Sequence, residues 1–132
     1  MKTGRGRILL GKMGLDSHDT GIVIVAKWLS DAGFEVIYAG LYNTPENIIE
    51  SAIQEGVDII GCSFLAGEHL YFTRKLVKLM DERDLKKIKL IIGGVILPDD
   101  VIKLKELGVS HVFTPETMRD TIIDSMIELA GE

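Results

Sequence analysis

Residues 57–94 read VDIIGCSFLAGEHLYFTRKLVKLMDERDLKKIKLIIGG and form one strand–helix–strand unit. Val57-Asp58-Ile59-Ile60-Gly61-Cys62-Ser63 is short and almost wholly apolar, the pattern of a strand covered on both faces. A helix follows over about 67–83, with Leu76, Val77, Leu79 and Met80 as its apolar stripe. Ile88-Lys89-Leu90-Ile91-Ile92-Gly93-Gly94 then returns as a second apolar strand.

The same alternation runs outward in both directions. Upstream, Arg7-Ile8-Leu9-Leu10-Gly11-Lys12 reads as a strand, 21–32 as a helix closed by Gly33, and Phe34-Glu35-Val36-Ile37-Tyr38-Ala39 as a strand. Thr44-Pro45-Glu46-Asn47 opens a helix, with Thr44 as N-cap and Pro45 in its first turn; Gly56 ends it. Downstream come a helix over 98–107 stopped by Gly108, the strand Val109-Ser110-His111-Val112-Phe113, and a helix over 117–130. Strict alternation of apolar strands and amphipathic helices implies a parallel sheet with helices on both faces. Five such units in 132 residues suit a single domain over 1–132 with the flavodoxin-like, doubly wound α/β architecture. Its expected strand order is 2-1-3-4-5, with ligands outside the carboxyl ends of the strands, at the switch between the first and third.

Composition narrows the function. The chain is 46% hydrophobic and 27% charged, which fits a folded globule. Its net charge of −5, with both signs interspersed, argues against a nucleic-acid surface. No apolar run approaches the roughly 20 residues that span a membrane. The basic residues 1–7 lead straight into a strand without an apolar leader, and Cys62 is the single cysteine. A cytoplasmic location is therefore expected.

If ligands bind at the strand ends, the first βα loop stands out. Met13-Gly14-Leu15-Asp16-Ser17-His18-Asp19-Thr20-Gly21 exceeds the usual length of about 2–6 residues and holds an Asp-x-His pair. A carboxylate two residues from a histidine can accept the ring's Nδ1–H and leave Nε2 free as a ligand or base. The plain alternative is that Asp16 or Asp19 caps the next helix and His18 is incidental. Zinc fits less well, since no second His or Cys cluster completes a ligand set. Ser63-Phe64-Leu65-Ala66-Gly67 and Gly93-Gly94 end the third and fourth strands with small residues that admit a bulky body or simply make turns. Phe113-Thr114-Pro115-Glu116 reads as a helix entry.

Asp16-x-His18-x-x-Gly21, Ser63-x-Leu65 and Gly93-Gly94 together resemble the three-part signature of cobalamin-binding domains. Lys12-Met13-Gly14, Gly93-Gly94-Val95-Ile96-x-Pro98 and Gly108-Val109-Ser110-x-Val112-Phe113 are similar to the cobalamin domain of methylmalonyl-CoA mutase and its acyl-CoA mutase relatives. The likeness covers roughly residues 7–129. It implies that His18 is the lower axial ligand of cobalt in base-off adenosylcobalamin, with Asp16 on its other nitrogen and Lys12 behind Asp16. Ser17, Asp19, Thr20 and Gly21 would complete the cofactor loop; Ser63, Leu65, Gly93 and Gly94 would line the slot for the nucleotide tail. Ser17 and Thr20 depart from the glycine and arginine common in the family, which leaves their corrin contacts open.

The resemblance further implies an isomerase subunit, inactive without a separate TIM-barrel subunit that holds the acyl-CoA, in a hetero-oligomer. Radical interconversion of methylmalonyl-CoA and succinyl-CoA is the expected reaction. Other cobalamin mutases, of the glutamate, isobutyryl-CoA or hydroxyisobutyryl-CoA kind, and corrinoid carrier proteins are the alternatives. A carrier usually has a helical cap before this domain, and the first strand here begins about six residues in.

Other residues read as structural. Cys62 is expected as a buried thiol, His69 as a surface or helix-terminal residue, His111 as a core or edge histidine, and Trp28 as packing. The charged run 81–87 reads as a solvated helix end. The strand ends Cys62-Ser63 and Thr114 lack the aspartate and lysine of a phospho-receiver, and Gly11-Lys12-Met13-Gly14 is no phosphate-binding loop.

Overall fold

The structure, a computed structural model, describes residues 4–131. Residues 1–3 and 132, which belong to the expected domain and basic N-terminus, lie outside the described residues. Strands and helices alternate as β1 Arg7–Met13, α1 Thr20–Asp31, β2 Glu35–Asn43, α2 Pro45–Glu55, β3 Ile59–Phe64, α3 His69–Glu82, β4 Lys89–Gly94, α4 Pro98–Glu106, β5 His111–Phe113 and α5 Arg119–Ala130. All neighbouring strands pair in parallel, in the order β2-β1-β3-β4-β5 expected from the sequence.

Side-chain alternation along each strand sorts the core into two layers. Ile8, Leu10, Ile59 and Ile91 face α1 and α5, where Ile22, Leu29, Ile122 and Met126 meet them. Leu9, Met13, Ile60 and Ile92 face the other way, against Ile48 and Ile49 of α2, Leu76 of α3 and Leu104 of α4. Because β1, β3 and β4 are covered on both faces, their middles, Ile8-Leu9-Leu10, Ile59-Ile60 and Leu90-Ile91-Ile92, are apolar at successive positions rather than alternating.

The helix ends follow the local chemistry. Thr44 Oγ1 accepts from the Asn47 amide at 3.0 Å, Pro45 sits in the first turn, and Gly56 closes α2 with φ 61°. Element limits otherwise shift by a residue or two, except in β2. The sequence reading ends that strand at Ala39, whereas it continues to Asn43. The register against β1 slips twice, so that Gly11 faces Gly40 and Met13 faces Asn43. Asn43 makes the extension possible: its side-chain amide donates to the carbonyls of Lys12, Ala39 and Gly40, and its carbonyl accepts from Gly14 N–H. Residues that look like turn formers thus extend the sheet beside the first loop. Among the described residues no helix is long and apolar enough to cross a membrane.

Candidate functional site

The parity of β1 that turns Leu10 into the α1/α5 layer also turns Lys12 into it, one pleat nearer the strand end. Lys12 is completely buried. Its ammonium donates to the Ser63 carbonyl at 2.8 Å and to Asp16 Oδ2 at 2.9 Å. Asp16 is itself buried and fully engaged. Oδ1 accepts from the backbone N–H of His18 at 3.0 Å and meets His18 Nδ1 at 2.7 Å; Oδ2 accepts from Lys12 and from the Leu65 N–H at 2.9 Å.

These bonds decide the charge at the centre. Burial works to raise the Asp16 carboxyl, but the two backbone N–H groups, the Lys12 ammonium and the His18 ring outweigh it and hold the group well below the usual carboxylate range. An ionised carboxylate only accepts, so His18 Nδ1 must carry the proton. Nε2 is then the free position, on a side chain 71% exposed. The tautomer is set by Asp16, and Asp16 is set by Lys12 and Leu65.

Beside this triad a cavity of about 310 Å³ opens between the sheet and the helices α1 and α5. Its walls are mainly apolar, with Trp28 and Val25 from α1, Phe113 from β5 and Ile122 from α5; Ser63 and Gly93 lie at the strand ends. The glycines explain its shape. A Cβ on Gly61 would press on Leu10 at 2.5 Å, so that glycine answers to core packing. A Cβ on Gly94, where φ is +130°, would run into the Phe64 carbonyl, so that glycine answers to the backbone. Gly93 and Gly21 are different: a Cβ would meet only the Phe113 carbonyl at 3.5 Å in one case and nothing within 4 Å in the other. No contact of the folded chain requires them to be glycine, and both line the cavity.

The structure therefore brings together Lys12, Asp16, His18, Ser63, Leu65, Gly93, Gly94 and Gly21 at one end of the sheet. Ser17 and Thr20 are exposed near it. The helix-cap alternative for the acids does not hold. Asp19 occupies the N-cap position without a side-chain bond, and Asp16 is turned inward instead. Asp19 bears on Tyr38, whose hydroxyl is pushed up first by burial and then by that charge.

Three features escaped the sequence reading. Trp28 packs against the α1/α5 layer of the core, as read, but it also walls the cavity. His69, read as a surface or helix-terminal residue, stands at the first position of α3 but is buried, with Nε2 2.7 Å from Asp100 Oδ2. Leu15, Leu65, Val95, Leu97 and Met118 form an exposed apolar rim in the loops after β1, β3, β4 and β5. Large apolar residues in βα loops were the available signal for that rim. Cys62 is buried as expected, its thiol pushed up to about 12 by burial against the opposing Lys12 charge.

A family model described as the B12 binding domain matches residues 6–120, and the chain belongs to that family. Within it the chain stands with the acyl-CoA mutases. The 2-hydroxyisobutanoyl-CoA mutase small subunit of Aquincola tertiaricarbonis is 46% identical over 125 residues, which are 95% of this chain and 92% of that one. The methylmalonyl-CoA mutase of Escherichia coli is 38% identical over 121 residues, 91% of this chain but only 17% of that longer one. Among solved structures, a cobalamin-binding protein from Desulfitobacterium hafniense superposes with a TM-score of 0.82 over 95% of this chain and 59% of its own, at 24% identity, a likeness of fold alone.

The residues present fit a cobalamin. An imidazole nitrogen held free by its neighbours is a competent cobalt ligand, and two of the glycines lining the apolar cavity beside it, Gly21 and Gly93, are required by no contact of the folded chain.

Proposed function

We propose that this chain is a single cobalamin-binding domain serving as the small subunit of an adenosylcobalamin-dependent acyl-CoA mutase in the cytoplasm. The observation that carries the reading is the buried Lys12–Asp16 pair that fixes the His18 tautomer and leaves Nε2 outward beside the apolar cavity. His18 would hold the cobalt through Nε2, with Asp16 fixing the orientation and tautomer of its ring. Gly21, Ser63, Leu65, Gly93 and Gly94 would receive the nucleotide tail, while Ser17, Asp19 and Thr20 would meet the corrin edge.

The cofactor's contribution is a cobalt–carbon bond that breaks homolytically to start a radical carbon-skeleton rearrangement. This chain's part is to bind, orient and shield. Asp16 holds the Nδ1 proton in place, the His18 and Leu65 amides together with Lys12 keep Asp16 ionised, and the exposed apolar loop residues would supply a water-excluding surface towards a separate catalytic subunit that holds the acyl-CoA. The match to a small subunit over nearly its full length supports a hetero-oligomer of this kind. It also favours a short branched substrate of the hydroxyisobutyryl-CoA type. Methylmalonyl-CoA, the substrate expected from the motifs, is the second reading, supported by the methylmalonyl-CoA mutase match.

The test uses the chain labelled with nitrogen-15 and loaded with cob(II)alamin. A labelled histidine on cobalt splits the paramagnetic resonance lines into doublets, whereas the cofactor's own base gives triplets. Doublets that vanish in His18→Ala are the expected result; triplets in the wild type would refute the ligation mode.

A further inference from the structure

The first turn of α3 lies between the His18 loop and α4, and His69 is its fastening. On one side, a Cβ on Gly14 would lie 2.7 Å from Phe72 Cε2 and 3.2 Å from Glu68 Oε2, so the β1–α1 loop rests directly on this turn. On the other side, His69 Nε2 and Asp100 Oδ2 are 2.7 Å apart, across the seam between α3 and α4. The Asp100 carboxylate also lies 3.9 Å from Lys103 Nζ. A carboxylate accepts, so Nε2–H donates.

The rest of the ring is stripped of polar company. Among the described residues, His69 Nδ1 and the Thr73 hydroxyl, one helical turn apart and both buried, have no hydrogen-bond partner. The ring's remaining contact of note is an edge-on approach to Phe64, at 6.5 Å between centroids. Taking a histidine out of water for one directed bond costs free energy that a leucine in the same place would not. That bond ties together the first turns of α3 and α4, and with them the loops that run in from β3 and β4. The first of these carries the Leu65 N–H that holds Asp16; the second begins at Gly94, whose neighbour Val95 donates to the Phe64 carbonyl at 3.2 Å.

We infer that His69, through its bond to Asp100, is a positioning residue for the His18 centre: it pins the start of α3 so that the Leu65 amide stays on Asp16. The inference rests on the cofactor reading only for its effect on cobalamin. The latch itself is a property of the free chain.

Amide exchange in the unloaded chain and the affinity for cob(II)alamin test it together. In His69→Ala the Leu65 amide should exchange about tenfold faster, as loss of one hydrogen bond to a charged group predicts. The amides of Leu9 and Ile60 in the core strands should keep their protection, and the dissociation constant should rise about as much. His69→Gln, whose Nε2 can reach the same carboxylate, should restore both. Asp100→Ala cuts the same bond from α4 and should reproduce the loss, which covers the case of a His69→Ala chain that does not fold. Unchanged Leu65 exchange in these variants, or a loss spread evenly over the core amides without rescue by Gln, would overturn the latch. Failure of the wild type to bind cob(II)alamin would sink the cofactor reading instead, while the exchange comparison would still decide the latch.

Discussion

At the scale of single residues, the site is built around a buried ion pair whose members need each other. Lys12 has no exposed surface, and Asp16 is the one carboxylate that touches it among the described residues. Removing one partner of such a pair leaves a charge stranded in the core, at a cost of about 3–5 kcal/mol. Asp16→Asn is therefore expected to destabilise the chain by roughly that amount in urea unfolding at neutral pH. The double change Lys12→Met with Asp16→Asn should recover most of the loss. The pH dependence follows from the depressed carboxyl. Its stabilisation is fully present above the unfolded value of about 3.9 and fades as pH falls through the lower folded value. The stability gap between wild type and Asp16→Asn should thus narrow below about pH 4. A gap that stays constant down to acid unfolding would contradict the assignment.

At the scale of elements, the adjacent glycines at the end of β4 have opposite reasons to exist. Gly94 is demanded by its own backbone, with φ +130° and the Phe64 carbonyl in the way of any side chain. Gly93 faces the cavity with room for a Cβ. Gly94→Ala should therefore cost about 1–3 kcal/mol of folding stability. Gly93→Ala should leave stability unchanged or raise it by about 0.5 kcal/mol, since alanine is the better strand residue. Its expected effect falls on the guest: cobalamin binding weaker by about 1–3 kcal/mol, the cost of overfilling a tight slot. Thermal unfolding and cofactor titration of the two variants separate the roles. Equal effects of both changes on folding would show that Gly93 is structural.

At the scale of the whole molecule, Leu15, Leu65, Val95, Leu97 and Met118 leave apolar surface in water in the loops at the end of the sheet that carries His18. Such surface is usual where a ligand or partner is to be covered. In the proposed function the chain would supply ligation and shielding, and the chemistry on the CoA thioester would belong to the partner subunit. Purified alone with adenosylcobalamin, it is expected to bind the cofactor but turn over neither hydroxyisobutyryl-CoA nor methylmalonyl-CoA. Activity should appear when the large subunit is added, and the substrate accepted should follow the large subunit when partners are exchanged. Turnover by the isolated chain would overturn the two-subunit reading.

The sequence by itself determined the layout. Short apolar runs such as Ile59-Ile60-Gly61-Cys62, bounded by turn residues, read as strands covered on both faces, and their alternation with amphipathic helices leaves few ways to wind the sheet. The Asp16-x-His18 spacing was legible because the two side chains meet through local backbone, within one loop. Contacts between distant segments were not. No periodicity shows that Asn43 would stitch β2 onto β1, that Trp28 would wall a cavity as well as pack on the core, or that His69 and Asp100, 31 residues apart, would meet. Tertiary structure alone decided these, because a long-range hydrogen bond or a void depends on which surfaces the winding brings face to face, and local propensity carries no record of that.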